Sequence, residues 1–130
     1  MTQAATDFIA QTFALSRALQ AATQGRIFAF ESRQGTHTYP FILWSIVSDR
    51  AMTTDLQGAG QPWQAELQVN CYAQSVRAAE NLARMVYDAF TTAPRTKDIL
   101  HVYSTQVIPL YVDEDESIEY ALRIFINYQN

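Results

Sequence analysis

Apolar and polar residues alternate without a break from Trp63 to Ala73. Trp63, Ala65, Leu67, Val69, Cys71 and Ala73 fall on one face, and Gln64, Glu66, Gln68 and Asn70 on the other. A period of two over a full strand length predicts a sheet strand with one buried and one wet face. At Ser75, which offers a side-chain oxygen as N-cap, the period changes. Val76, Ala79, Ala83, Val86 and Phe90 recur at helical spacing, with Leu82 widening the stripe. A strand therefore turns within about two residues into a helix whose apolar face can fold back on the sheet.

The rest of the chain extends this pattern in both directions. After a polar lead-in, with Thr6 or Asp7 as candidate N-cap, Phe8, Thr12, Leu15, Leu19 and Ala22 mark one face of a single helix ending near Thr23, broadened by Ile9 and Phe13 and stopped by Gly25. Arg26 to Phe30 is a short β-prone run, and the polar stretch Glu31 to Thr38 reads as a loop. Pro40 opens a strand over Phe41 to Ser48 with apolar residues on both faces: Phe41, Leu43 and Val47 on one, Ile42, Trp44 and Ile46 on the other. Such a strand is expected to be central or covered on both sides. Asp49 to Pro62, with Gly58 and Gly60, has little periodicity and reads as a long connecting loop. Thr91 to Asp98 is a polar connector. Ile99 to Val112 is a strand candidate in which Pro109 favours an edge or a bulge. Ser117 to Gln129 alternates again: Ile118, Tyr120, Leu122, Ile124, Ile126 and Tyr128 share one face, Glu119, Arg123 and Asn127 the other. The four acids Asp113, Glu114, Asp115 and Glu116 would form the tip of a hairpin between these two strands.

The order helix, strand, strand, strand, helix, strand, strand predicts an α+β fold, a mostly antiparallel sheet of four to five strands with two helices packed on one face, in one domain spanning residues 1–130. Whether the strands flanking the second helix are parallel, so that the right-handed crossover rule applies, is left open by the sequence.

Composition narrows the function classes. Hydrophobic residues make up 48% and charged residues 17%, an ordinary globular balance that argues against disorder. The net charge is −4 and no basic cluster occurs, so autonomous nucleic-acid binding is not expected. A single cysteine precludes an internal disulfide, and Cys71, on the apolar face of its strand, reads as a small buried hydrophobe. No signal peptide or membrane span is expected, which points to the cytoplasm or to something assembled there.

No catalytic constellation stands out, and no cofactor is expected. His37 in a polar loop and His101 in a strand have no cysteine or second histidine at ligand spacing. The acidic run lacks the glycine and the spaced ligands of a calcium loop; a solvated tip that discourages edge-to-edge association is the simpler reading. Gly58-Ala59-Gly60 is followed by no helix pattern, so it is not a phosphate-cradling loop. Trp44, Trp63, Tyr72 and Tyr103 read as core or interface, with Trp63 beside the long loop as a candidate contact anchor.

The ordered set of segments resembles a known family. Gly25-Arg26-Ile27-Phe28 after a first helix, Tyr39-Pro40-Phe41-Ile42-Leu43-Trp44 after a short loop, Leu67-Gln68-Val69-Asn70-Cys71-Tyr72-Ala73 running into a helix, and a closing strand rich in aromatics from Arg123 to Tyr128 are similar to the tail-completion, or tail-terminator, proteins of long-tailed phages and phage-derived gene transfer agents. The likeness runs from the first helix to the last strand. The acidic run has no counterpart in the family pattern.

The resemblance implies a structural virion protein, not an enzyme. It implies a ring of like subunits, typically a hexamer, on the head-proximal end of the tail tube. The ring ends tube polymerisation and joins tail to head. Its partners would be itself, the tail tube protein and a connector or stopper protein of the neck, with DNA passing through the lumen without specific binding and no membrane involved. The particle's tail or neck would be its place, and the host cytoplasm its site of assembly. No catalytic residues carry over. Candidate subunit or tube contacts are Arg50, Met52, Asp55, Gln57 and Trp63 around the long loop, with Arg95 and Lys97 facing acids of a neighbour such as Asp113, Glu114, Asp115 and Glu116. The competing readings are a small dimeric α+β-barrel enzyme or ligand-binding module enclosing an apolar cavity, and another neck component such as a stopper or adaptor.

Overall fold

The two periodicities resolve into a sheet backed by helices. A computed structural model describes residues 3–29, 38–52, 62–112 and 118–129. In chain order these form α1 (Gln3–Leu15), α2 (Arg17–Thr23), β1 (Ile27–Ala29), β2 (Phe41–Ala51), β3 (Pro62–Ala73), α3 (Val76–Thr92), β4 (Ile99–Val112) and β5 (Ile118–Gln129). The fold is α+β, a five-stranded mixed sheet in the order β1-β2-β3-β5-β4. The sheet is open, with β1 and β4 at its edges, and does not close into a barrel. Only β1 and β2 pair in parallel; β2–β3, β3–β5 and β4–β5 are antiparallel. Because β5 lies antiparallel between them, β3 and β4 run parallel to one another, and β3-α3-β4 is a crossover unit split by the strand that follows it.

The alternation along β3 is reproduced in the burial. Ala65, Leu67, Val69, Cys71 and Ala73 are buried, and the residues between them are half-buried. On β5 the buried face carries Leu122, Ile124, Ile126 and Tyr128. These residues meet Phe8, Ile9 and Phe13 of α1, Leu19 of α2 and Leu82, Val86 and Phe90 of α3 in one core. Ser75 is the N-cap of α3, its hydroxyl oxygen accepting from the Ala78 amide at 3.1 Å. Three aromatic rings lock α1 to α3: Phe90 meets Phe8 and Phe13 edge to face, with centroids 6.0 and 5.2 Å apart.

Three local expectations need correction. The first helix is not continuous to Thr23. Ser16 is extended at φ −79°, ψ 103°, and caps a new helix by accepting from the Leu19 amide. Three helices therefore cover the sheet rather than two. The serine oxygen competes for a backbone amide and offers the chain a fresh start, while Gln20 Nε2 donates to the Phe13 carbonyl left over from α1. The helix also already includes Gln3, ahead of Thr6 and Asp7. At its far end α2 stops on two left-handed residues, Gln24 (φ 53°) and Gly25 (φ 80°), of which the second has no Cβ to strain.

The third correction concerns the long loop. β2 does not end at Ser48 but continues to Ala51, with Arg50 opposite Gln64 and Ala51 opposite Trp63. Asp49 is therefore a strand residue, and its carboxylate accepts a 2.6 Å hydrogen bond from the fully buried Tyr128 hydroxyl. The expectation that β2 is covered on both sides holds for its first three residues, all buried, with Phe41 stacked on Tyr72 at 4.6 Å. Beyond a register shift between Ile46 and Ser48, Val47 is 46% exposed. Residues 53–61, which include Asp55 and Gln57, lie outside the described residues.

Candidate functional site

The face of the sheet that the helices leave uncovered is polar, and its register builds a connected network. Odd-numbered β5 residues meet even-numbered β3 residues there: Asn127 opposite Gln64, Arg123 opposite Gln68, Glu119 opposite Tyr72. Gln64 Nε2 donates to Asn127 Oδ1 at 3.1 Å and to the Tyr103 hydroxyl at 2.9 Å. Arg123 donates to Gln68 Oε1 at 3.2 Å and to Glu66 Oε1 at 2.6 Å. Gln68 Nε2 donates to Asn70 Oδ1 at 3.1 Å, and Asn70 Nδ2 in turn to Glu119, which also accepts from the Tyr72 hydroxyl at 2.7 Å. The network lies between the Phe41–Tyr72 stack and a second stack of Tyr103 on Phe125, centroids 5.1 Å apart.

Such a surface is pre-ordered but chemically quiet. The polar side chains named above are held by one another, and the Arg123–Glu66 ion pair is partly open to water, with side chains 41% and 23% exposed. Glu66→Gln is therefore expected to change stability by less than about 1 kcal/mol in a denaturant melt, because a solvent-screened pair contributes little. A loss well above that value would mean that the network braces the sheet.

On the helical side, a cleft of about 280 Å³ opens where the C-terminal halves of α1 and α3 diverge. Phe8, Leu15, Ala89 and Pro94 give it apolar walls, and Arg95 and Thr96 stand at its edge. Leu15 is 71% exposed at the mouth. Arg95 is fixed by the end of α3, donating to the carbonyls of Ala93 at 2.7 Å and Phe90 at 3.3 Å. This is the favourable place for a cation on a helix. Lys97 lies exposed in the turn that follows.

The candidate contact residues are thus distributed. Arg50 and Met52 are exposed at the end of β2, and the Met52 amide donates to the Pro62 carbonyl at 3.0 Å. Trp63, the second residue of β3, lies opposite Ala51, half-buried and packed on the core, so it is part anchor and part surface. Arg95 stands at the edge of the cleft, and Lys97 is exposed two residues beyond it. Asp113, Glu114, Asp115 and Glu116 lie outside the described residues, as do Asp55 and Gln57. Sequence reasoning did not find the cleft, whose walls come from two helices about 80 residues apart. The single usable signal was Leu15, an apolar residue next to a serine that can restart a helix.

The single thiol is inert by position. Cys71 is fully buried, and burial first, with the Glu119 charge second, pushes its thiol from 9.0 up to about 12. The folded state thus holds this proton more tightly than the unfolded chain does. The associated stability is present below pH 9.0 and declines as pH rises from there toward about 12. Thiol labelling of the native protein at neutral pH should be slow and track unfolding, and Cys71→Ala should flatten the alkaline decline in the melting temperature. Rapid labelling without unfolding would contradict the burial. His101 is exposed and tilted against Tyr103 at 5.4 Å; His37 lies outside the described residues. Among the described residues no group of three or more His, Cys, Asp or Glu side chains could hold a metal ion, and no helix is long and apolar enough to cross a membrane.

No family model and no curated protein matches the chain. Solved structures do. The chain is similar to one in the virion of a native gene transfer agent particle, with a TM-score of 0.73 over 94% of this chain and 92% of that one at 11% sequence identity. It is also similar to the bacteriophage SPP1 gp17 protein, with a TM-score of 0.64 over 98% of this chain and 91% of that one at 13% identity. At such identities the likeness is one of fold, and it spans nearly the whole of each chain.

Proposed function

We propose that this chain is a structural protein of the tail or neck of a phage or gene transfer agent particle, and that it caps the head-proximal end of the tail tube as a ring. The observation that carries this reading is the fold shared, over almost its full length, with a chain of a gene transfer agent virion. The surface chemistry is compatible with it. A hydrogen-bonded polar face and an apolar cleft suit protein contacts, and a chain of net charge −4 has little attraction for the DNA that would pass through such a ring. A closed ring needs a heterologous interface, one surface of each subunit meeting a different surface of the next. In this reading Arg50, Met52, Asp55, Gln57 and Trp63 meet the next subunit or the tube protein, and the neck connector or stopper docks on the other side of the ring.

Particles assembled without this protein test it. The expected products are full heads lacking tails, and headless, overlong tails, with joining restored when the purified protein is added back. Normal tail length with heads still unjoined would move the protein to a stopper or adaptor position in the neck. Normal tails and full infectivity would overturn the reading altogether.

A further inference from the structure

Among the described residues, two stretches of the sheet have no strand beside them. One is β4, whose fourteen residues pair with β5 on one side only. The other is the second half of β2. β1 covers Ile42, Leu43 and Trp44, and no described strand lies beyond Ser45–Ala51 on that side. Such an edge turns alternate N–H and C=O groups outward, and the partner that satisfies the whole row is another strand. Natural edges are commonly blunted by charge, yet β4 contains no Asp, Glu, Lys or Arg. Its single proline, Pro109, lies outside the stretch Ile99–Ser104.

The two edges match in direction and in level. β2 runs antiparallel to β3, β3 to β5 and β5 to β4, so β2 and β4 run antiparallel to each other. Across the ladders, Ala51 is level with Trp63, Tyr128 and Ile99. Arg50 is level with Gln64, Asn127 and His101, and Ser48 with Glu66, Phe125 and Tyr103. The open half of β2 thus stands level with the first half of β4. Pro109, by contrast, is level with Ile42, which β1 already covers. Each edge also exposes an apolar residue at a register shift: Val47 on β2 and Leu100 on β4. Met52, exposed as well, follows Ala51. Three of the six large apolar residues exposed among the described residues therefore lie along these two edges.

We propose that the open half of β2 in one copy of this chain pairs, as an antiparallel strand, with the first half of β4 in the next copy. The proposal rests on the ring reading and deepens it: the two edges are different surfaces of one subunit, and each subunit presents both once. A closed ring adds no rise from copy to copy, so with strands along its axis the levels are kept. Arg50 of one copy then stands opposite His101 of the next, and Ser48 opposite Tyr103, on one continuous polar face. The outward N–H groups of each edge meet the outward C=O groups of the other, which gives the contact complementary partial charges along its length.

Full-length variants test the contact by sedimentation velocity with and without purified tails, and circular dichroism reports whether each is folded. Val47→Lys blocks the β2 edge and Leu100→Lys the β4 edge, both at exposed side chains. Each is expected to weaken association about tenfold or more. Mixed together, the two variants should form pairs and go no further, because each keeps one intact edge. As a second readout, Arg50→Cys with His101→Cys should give disulfide-linked oligomers from assembled protein. Within one chain these positions are three strand spacings apart, about 14 Å. A disulfide needs Cα atoms within about 7 Å, so every link joins two copies. Association that neither lysine weakens, a mixture that does not pair, or the absence of linked oligomers overturns the contact and leaves the ring reading standing. Dimers linked through His101→Cys alone place β4 against β4 and overturn it in the same way. A natural chain that stays monomeric with and without tails overturns both.

Discussion

Phe90→Ala is expected to cost about 3–5 kcal/mol, among the largest effects of a single truncation at the described residues. The ring is completely buried and is edge-on to both Phe8 and Phe13, and Phe13 in turn stacks on Trp44 of β2 at 6.2 Å. Removing it deletes transfer free energy, leaves a cavity, and loses two aromatic pairs worth about 0.5–1.5 kcal/mol each beyond their area. The cavity would open between three elements that cannot all close on it, because α1 and α3 are held apart by their contacts with the sheet. Against a domain stability of order 5–15 kcal/mol the variant should be marginal. Urea melts at constant slope are the measurement. A midpoint shift worth less than about 1 kcal/mol would mean that the three rings are not the junction between helices and sheet.

Leu67→Ala should follow, at about 2–5 kcal/mol. Leu67 is fully buried at the centre of β3, between Ile46 of β2 and Ile124 of β5. Gln68, one residue on, points to the opposite face, where it accepts from Arg123. Gln68→Ala should therefore cost within about 1 kcal/mol, the net worth of ordinary hydrogen bonds. The contrast between adjacent residues is the sensitive quantity. A strand displaced by one register position would exchange the two values, so similar costs for both substitutions, or a cost below about 0.5 kcal/mol for Leu67→Ala, would invalidate the assignment of faces.

Much of this fold is legible in the sequence where one physical requirement dominates. β3 and β5 alternate cleanly because each has one wet face, and α3 announces itself through Ser75 and a stripe from Ala79 to Phe90. What the sequence hides is decided by several weak preferences at once. Ser16 lies within a helical apolar pattern, and nothing local distinguishes a serine that faces solvent from one that caps the next helix. Asp49 and Arg50 look like loop residues; they stay in β2 because the ladder to β3 and the Tyr128 hydroxyl hold them there. The polar network on the open face needs the β3–β5 register, which no single-strand pattern contains. Of the contact residues named from sequence, Arg50 and Met52 are exposed and Trp63 half-buried near one another, while Arg95 and Lys97 fall at a different place, beside a cleft that no sequence pattern predicted.

The position of β5 between β3 and β4 has a kinetic consequence. The residues that complete the sheet's centre are translated after everything they pair with; Leu67 waits for Ile124, 57 residues later. Until then the nascent β3 edge is open and β4 has no partner, and local contacts offer little in return for closing so long a loop. Folding of this chain should therefore be slow for its size, with the final strand as the step that commits it. In a dense assembly site, an open β3 edge is also a template for the wrong strand from a neighbouring chain. Overproduction at high temperature should accordingly yield aggregates, and slowing synthesis or cooling the culture should recover soluble protein.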